Sequence, residues 1–211
     1  MTAEDAEAAS NCRLVLHQGV GYHDTVATDV LMKRQIRLAV TPQGTSEGVA
    51  EHAIMMMLAT GRRLAFCDSE LRVGRWHSNT FRSSARQLFG ATVGIIGFGR
   101  IGQAMASRCH FGFGMKINIY SRSKVSDELL KKYNAKQVST VEALLSKSDF
   151  VSLHCPGGTN NRHLINASNL AEARPGLILI NTARGEVIDE VALANALENN
   201  VVKAAGLDVF D

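Results

Sequence analysis

The run Val93-Gly94-Ile95-Ile96-Gly97-Phe98-Gly99-Arg100-Ile101-Gly102 constrains this chain more than any other feature. An apolar, strand-like stretch enters a G-x-G-x-x-G turn, a helix-forming stretch to Cys109 leaves it, and a second strand, 116–120, follows. Residues 92–121 therefore read as a βαβ unit, which is the context that gives the motif its meaning. Gly97 permits the tight turn, Gly99 lets a pyrophosphate approach the backbone, and Gly102 lets helix and strand pack closely. Together with Phe98, Arg100 and Ile101 they place unpaired N–H groups at a helix N-terminus, where the helix dipole favours negative charge. A glycine turn used only for packing is the alternative, and the strand–helix–strand context weighs against it.

The alternation continues beyond this unit. Strand patterns are expected at 92–96, 116–120, 136–138, 150–153, 177–181 and 204–209. Helices are expected at 100–109, from Asp127 behind a Ser126 cap, from Val141, at 167–172 and at 190–197. Strands alternating with helices define an α/β chain with a doubly wound parallel sheet, and six strands is the number of a full Rossmann sheet. Upstream lie a short strand at 12–17, turn chemistry at 19–24, a strand at 36–40 and a hinge-like Thr41-Pro42-Gln43-Gly44. A helix at 49–63 carries apolar residues at nearly every position, which suits burial on more than one side. A polar, irregular stretch at 72–87 separates it from the sheet.

With 211 residues, 45% of them hydrophobic, the chain can bury a core, and a formal charge of +3 without long like-charge runs gives no support for a nucleic-acid partner. The longest apolar stretch is too short to span a bilayer, so no membrane association is expected. Cys12, Cys67, Cys109 and Cys155 lack metal-ligand or redox spacing, which fits a reducing cytoplasm and no metal site.

At the end of the second strand an NAD-selective site carries Asp or Glu for the ribose hydroxyls. Here the residues are Ser121, Arg122, Ser123 and Lys124, which offer hydroxyls and positive charge where a carboxylate would repel a 2′-phosphate. NADP(H) is therefore expected in preference to NAD(H), against the plainer reading of Arg122 and Lys124 as solvated surface cations.

The flanking strings Gly19-Val20-Gly21-Tyr22-His23-Asp24, Val49-Ala50-Glu51-His52, Leu153-His154-Cys155-Pro156, Asn181-Thr182-Ala183-Arg184-Gly185 and Gly206-Leu207-Asp208-Val209-Phe210 resemble, in this order, the D-isomer-specific 2-hydroxyacid dehydrogenases. The resemblance leans toward their glyoxylate and hydroxypyruvate reductase branch. It implies hydride transfer between a nicotinamide and a short 2-keto or 2-hydroxy acid, with Arg184 as the catalytic arginine that binds the carboxylate and polarises the carbonyl. It also implies that Val20 and Gly21 bring backbone N–H groups to that carboxylate. Asp208, expected to be buried, would hold the nicotinamide carboxamide, with Thr182, Ala183, Cys155 and Pro156 lining the cofactor cleft. His52 and His154 are expected to be structural, and the other histidines to be surface or packing residues.

Residues 1–42 are then expected to belong to a flavodoxin-like substrate domain, and residues 43–211 to the cofactor domain, including a dimer helix at 47–73 that makes a homodimer. The family's proton-donating histidine and its glutamate partner match nothing here and would lie beyond Asp211. The 211 residues are expected to bind cofactor with little turnover. A cofactor-sensing protein without catalysis, and a phosphite or formate dehydrogenase chemistry, are the competing functions.

Overall fold

The structure is a computed structural model, and it describes residues 1–19, 21–22, 25–41, 44–77 and 79–211. The first elements form a small layer of their own. Helix α1 (Ala3–Ala8), capped by Thr2, precedes strand β1 (Leu14–His17), helix α2 (Thr28–Lys33) and strand β2 (Arg37–Val40). The two strands pair in parallel around the α2 crossover, and Ala6, Val26, Leu31 and Ile36 form the apolar centre. β1 starts at Leu14, two residues later than its apolar pattern suggests.

Helix α3 (Ser46–Gly61) leads to helix α4 (Leu64–Arg72). The expected single helix over 47–73 is thus two helices. The break falls at Arg63, whose φ of 55° is left-handed, and its guanidinium is stacked 4.7 Å from the Phe66 ring centre and 4.5 Å from that of Phe81. Neither Pro nor Gly occupies the break itself.

From Thr92 the chain alternates as expected: β3 (Thr92–Ile96), α5 (Arg100–Ser107), β4 (Lys116–Tyr120), α6 (Asp127–Lys132), β5 (Ala135–Gln137), α7 (Val141–Leu145), β6 (Phe150–Leu153), α8 (Ala167–Ala171), β7 (Leu177–Asn181), α9 (Glu190–Glu198) and β8 (Val202–Leu207). α5 runs on into a wider π-helical turn, Arg108–Gly112. The six strands pair in parallel in the order β5-β4-β3-β6-β7-β8, the doubly wound order of a Rossmann sheet. β8 starts at Val202 and ends at Leu207, so the apolar pattern at 204–209 locates it two residues late.

Alternation of side chains on each strand sends one set to each face. Val93, Ile95, Ile117, Ile119, Ile178 and Ile180 pack with α3 and α5, while Val151, Leu153, Leu177 and Leu179 pack with α7, α8 and α9. All ten are at most 2% exposed, and β3, β6 and β7, buried on both faces, read as nearly continuous apolar runs, while β4 alternates as Lys116-Ile117-Asn118-Ile119-Tyr120. Among the described residues no helix is long and apolar enough to cross a membrane.

Candidate functional site

The strand register fixes the site. Ile96 pairs with Tyr120 on one side and Leu153 on the other, Leu153 pairs with Asn181, and Asn181 with Leu207. The residues that follow, Ser121, Gly97, His154, Thr182 and Asp208, therefore leave the sheet in one row at the carboxyl edge. β3 and β6 flank the point where the strand order reverses, and a crevice at that point is where open α/β sheets bind ligands. A cleft of about 850 Å³ opens there.

Gly97, at φ 89°, turns the chain out of β3, and its N–H donates to the Tyr120 carbonyl at 2.9 Å. A Cβ at Gly97 would stand 2.7 Å from the His154 carbonyl carbon, and one at Gly102 would collide with the Gly97 carbonyl. Only glycines let α5 start this close to the strand. Gly97, Phe98, Gly99, Arg100 and Ile101 line the cleft, with Gly102 packed behind them.

Ser121, Arg122 and Ser123 line the next stretch of wall, whereas Lys124 is exposed outside it. Opposite lie Cys155, Pro156, Thr182, Ala183 and Arg184. Burial pushes the Cys155 thiol up to about 11, a shift that its backbone hydrogen bond and the Arg122 charge only partly oppose. It stays a protonated thiol at neutral pH.

His154 is held by Ser152, whose hydroxyl stands 2.9 Å from Nε2, and burial lowers its pKa to about 4. It is a neutral, packed imidazole. Asn161, which is 4% exposed, donates to the Pro156 carbonyl at 2.7 Å and also lines the cleft. The sequence reading missed Asn161, together with His17, Gln18 and Thr25, which close the cleft from the β1–α2 side.

Arg184 leaves the carboxyl end of β7 and crosses to that side. Its guanidinium donates to the Ala183 carbonyl at 2.7 Å and to the Gly21 carbonyl at 3.1 Å. A Cβ at Gly21 would strike the same guanidinium, so only glycine allows the approach. Val20 lies outside the described residues. Asp208 departs from expectation: it is exposed rather than buried, and its carboxylate meets His52 Nε2 at 3.1 Å. It lies one residue past the end of β8, the edge strand of the sheet among the described residues.

The residues present fit a dinucleotide. The start of α5 offers backbone N–H groups to phosphate, an added Cβ at Gly99 would meet nothing within 4 Å, and the buried Thr182 hydroxyl has no protein partner among the described residues. No cluster of metal-binding side chains occurs among the described residues.

A glycine turn lining a crevice at the switch point of a doubly wound parallel sheet defines a dinucleotide-binding domain of the Rossmann type. The pattern of one such family, the NAD binding domain of D-isomer specific 2-hydroxyacid dehydrogenases, matches residues 54–211, and the chain belongs to that family. It is 37% identical over 211 residues to a hydroxypyruvate reductase of Thermotoga maritima, covering all of this chain and 66% of that protein. Among solved structures it is similar to a glyoxylate reductase from Paecilomyes thermophila, with a TM-score of 0.86 and 34% identity over 99% of this chain and 62% of that one. A formate dehydrogenase of Granulicella superposes with a TM-score of 0.91 at 30% identity, over all of this chain and 55% of that one. The chain thus spans somewhat under two thirds of the length of these relatives.

Proposed function

We propose that this chain is the cofactor-binding part, with a portion of the substrate-binding side, of an NADP(H)-dependent reductase of a short 2-keto acid of the glyoxylate or hydroxypyruvate type. The observation that carries the reading is the place of Arg184, at the carboxyl end of β7, lining the same cleft as the Gly97–Gly102 turn. Residues 43–211 form the cofactor domain and residues 1–42 belong to the substrate side.

Gly97 to Ile101 take the pyrophosphate at the start of α5, with Gly102 giving the helix its close seat. Ser121, Arg122 and Ser123, with Lys124 at the rim, take the adenosine ribose and its 2′-phosphate. Cys155, Pro156, Thr182 and Ala183 border the nicotinamide end, and Asp208 stands at the edge of the row beyond them. When bound, the cofactor supplies the hydride. Arg184 binds the substrate carboxylate through its planar fork and polarises the adjacent carbonyl, and the Gly21 N–H assists from across the cleft. His154 stays neutral and packed, and no residue of the 211 is assigned as proton donor. The chain acts in the cytoplasm as a homodimer through α3 and α4, where Met55, Leu58, Leu64 and Leu71 are exposed.

Titration of the purified chain with NADPH and NADH tests the cofactor reading, with tighter NADPH binding expected and equal affinity overturning it. A panel of glyoxylate, hydroxypyruvate, formate and phosphite with NADPH or NADP tests the rest. Little turnover is expected from the 211 residues alone, and ready reduction of a keto acid by them would overturn that expectation. Oxidation of formate or phosphite would move the chain to the competing chemistry.

A further inference from the structure

The loop that follows β4 is held by a residue that does not line the cleft. Gln137, the last residue of β5, pairs in register with Ile119 of β4, and the backbone ladder ends one step later with the Val138 N–H donating to the Ile119 carbonyl at 2.8 Å. Beyond that point the Gln137 side chain takes over. Its Nε2 donates to the carbonyls of Ser121 at 3.2 Å and Ser123 at 3.0 Å, and its Oε1 accepts from the Val125 N–H at 2.9 Å. One carboxamide thus satisfies three backbone groups of a five-residue loop.

Two further anchors complete the arrangement. Val125 is 6% exposed and packed in the core, and Ser126 caps α6 by accepting from the Leu129 N–H. The loop is therefore tied at its start, middle and end, which leaves Ser121, Arg122 and Ser123 along the cleft. Arg122 is exposed and makes no ion pair with another described residue. An exposed arginine on an untied loop would spread its charge over many positions, and a fixed backbone concentrates it where an anionic group on the ribose would lie.

We infer that Gln137 is a positioning residue for cofactor choice, which clamps the backbone of the 121–125 loop so that Ser121, Arg122 and Ser123 present one fixed surface to the 2′-substituent of the adenosine ribose. The inference rests on the reading of that loop as the NADP(H)-selective wall. Its own content is narrower: selectivity depends on a side chain that does not touch the cofactor. A residue that served only folding would change the affinity for both cofactors alike, because NADPH and NADH differ solely at the 2′-position.

Q137M keeps the length and bulk of the side chain while removing all three hydrogen bonds. K136M, at an exposed neighbouring position of the same edge strand, serves as the control. Dissociation constants for NADPH and NADH are measured by calorimetry on the 211-residue chain, its K136M form and its Q137M form, with thermal melting alongside. Q137M is expected to weaken NADPH binding about tenfold and NADH binding no more than about threefold, with K136M unchanged, because only the 2′-phosphate depends on the fixed loop. A ratio of the two constants that is the same in Q137M as in the unaltered chain overturns the inference, whether both affinities hold or both fall. Tighter binding of NADH by the unaltered chain would overturn the NADP(H) reading instead. The clamp would still be judged by whether Q137M shifts the ratio.

Discussion

At the scale of single residues, the site combines positions that a motif dictates with positions that only folding brings together. Gly97 and Gly102 were legible because the turn admits only glycine there, and Arg184, Cys155 and Thr182 because each sits in a string that the family resemblance singles out. Gln137, Asn161 and the pairing of His52 with Asp208 were not legible, because they depend on contacts across 5 to 156 positions of sequence. His154 carries a residue-scale prediction. Burial puts its folded pKa at about 4, below the 6.5 of a free imidazole, so between those values the unfolded chain takes up a proton that the folded chain refuses. Stability is therefore fully present above pH 6.5 and falls as the pH drops toward 4, by at most about 3–4 kcal/mol. Thermal melting from pH 7.5 to 4.5 should show the decline, and H154Q should flatten it. An equal slope in H154Q would show that other groups cause it.

At the scale of elements, the central strands β3, β6 and β7 were visible as apolar runs, since strands buried on both faces need no polar alternation, whereas β4 alternates and the edge strand β5, Ala135–Gln137, holds Lys136 and Gln137 and is only partly buried. The apolar pattern ends a helix at Arg63, but what it could not supply was the cause of the break or the second helix, α4, that follows it. Left-handed backbone at Arg63 costs about 1 kcal/mol for a residue with a Cβ, and stacking on Phe66 and Phe81 returns about 0.5–1 kcal/mol per ring. These effects nearly cancel, and neither is written in the local sequence. R63G relieves the backbone while losing the stacking, and is expected to leave the urea midpoint almost unchanged. R63A keeps the strain and loses the rings, and should cost about 1–2 kcal/mol. If both variants lost stability equally, the backbone account of the break would be wrong.

At the scale of the whole molecule, α3 turns Ala50, Ala53 and Met57 into the core, all of them fully buried, while Met55 is 51% and Leu58 40% exposed. The Met55-Met56-Met57 run thus serves two faces, which is why its apolarity could be read while its partner could not. Leu64, at the start of α4, is 60% exposed as well, and exposed apolar side chains of this size are what an association surface uses. Sedimentation at micromolar concentration is expected to show a dimer, and L58E together with L64E to weaken it at least tenfold, by roughly 1.4 kcal/mol or more, without loss of NADPH binding. A monomeric unaltered chain would refute the proposed homodimer.

The five positions that leave the sheet together, Ser121, Gly97, His154, Thr182 and Asp208, sit on adjacent strands, so the row spans four strand spacings, about 19 Å. A ligand that reaches from one end to the other must lie across the strands, reading one slot per strand. Each slot hangs from a separate strand of one sheet, so the occupant of one can change without moving its neighbours. On the proposed function, cofactor choice and acid recognition are then independent settings on one frame, provided that no strand slips, because a single-residue slip would invert the faces of the strand that carries the slot.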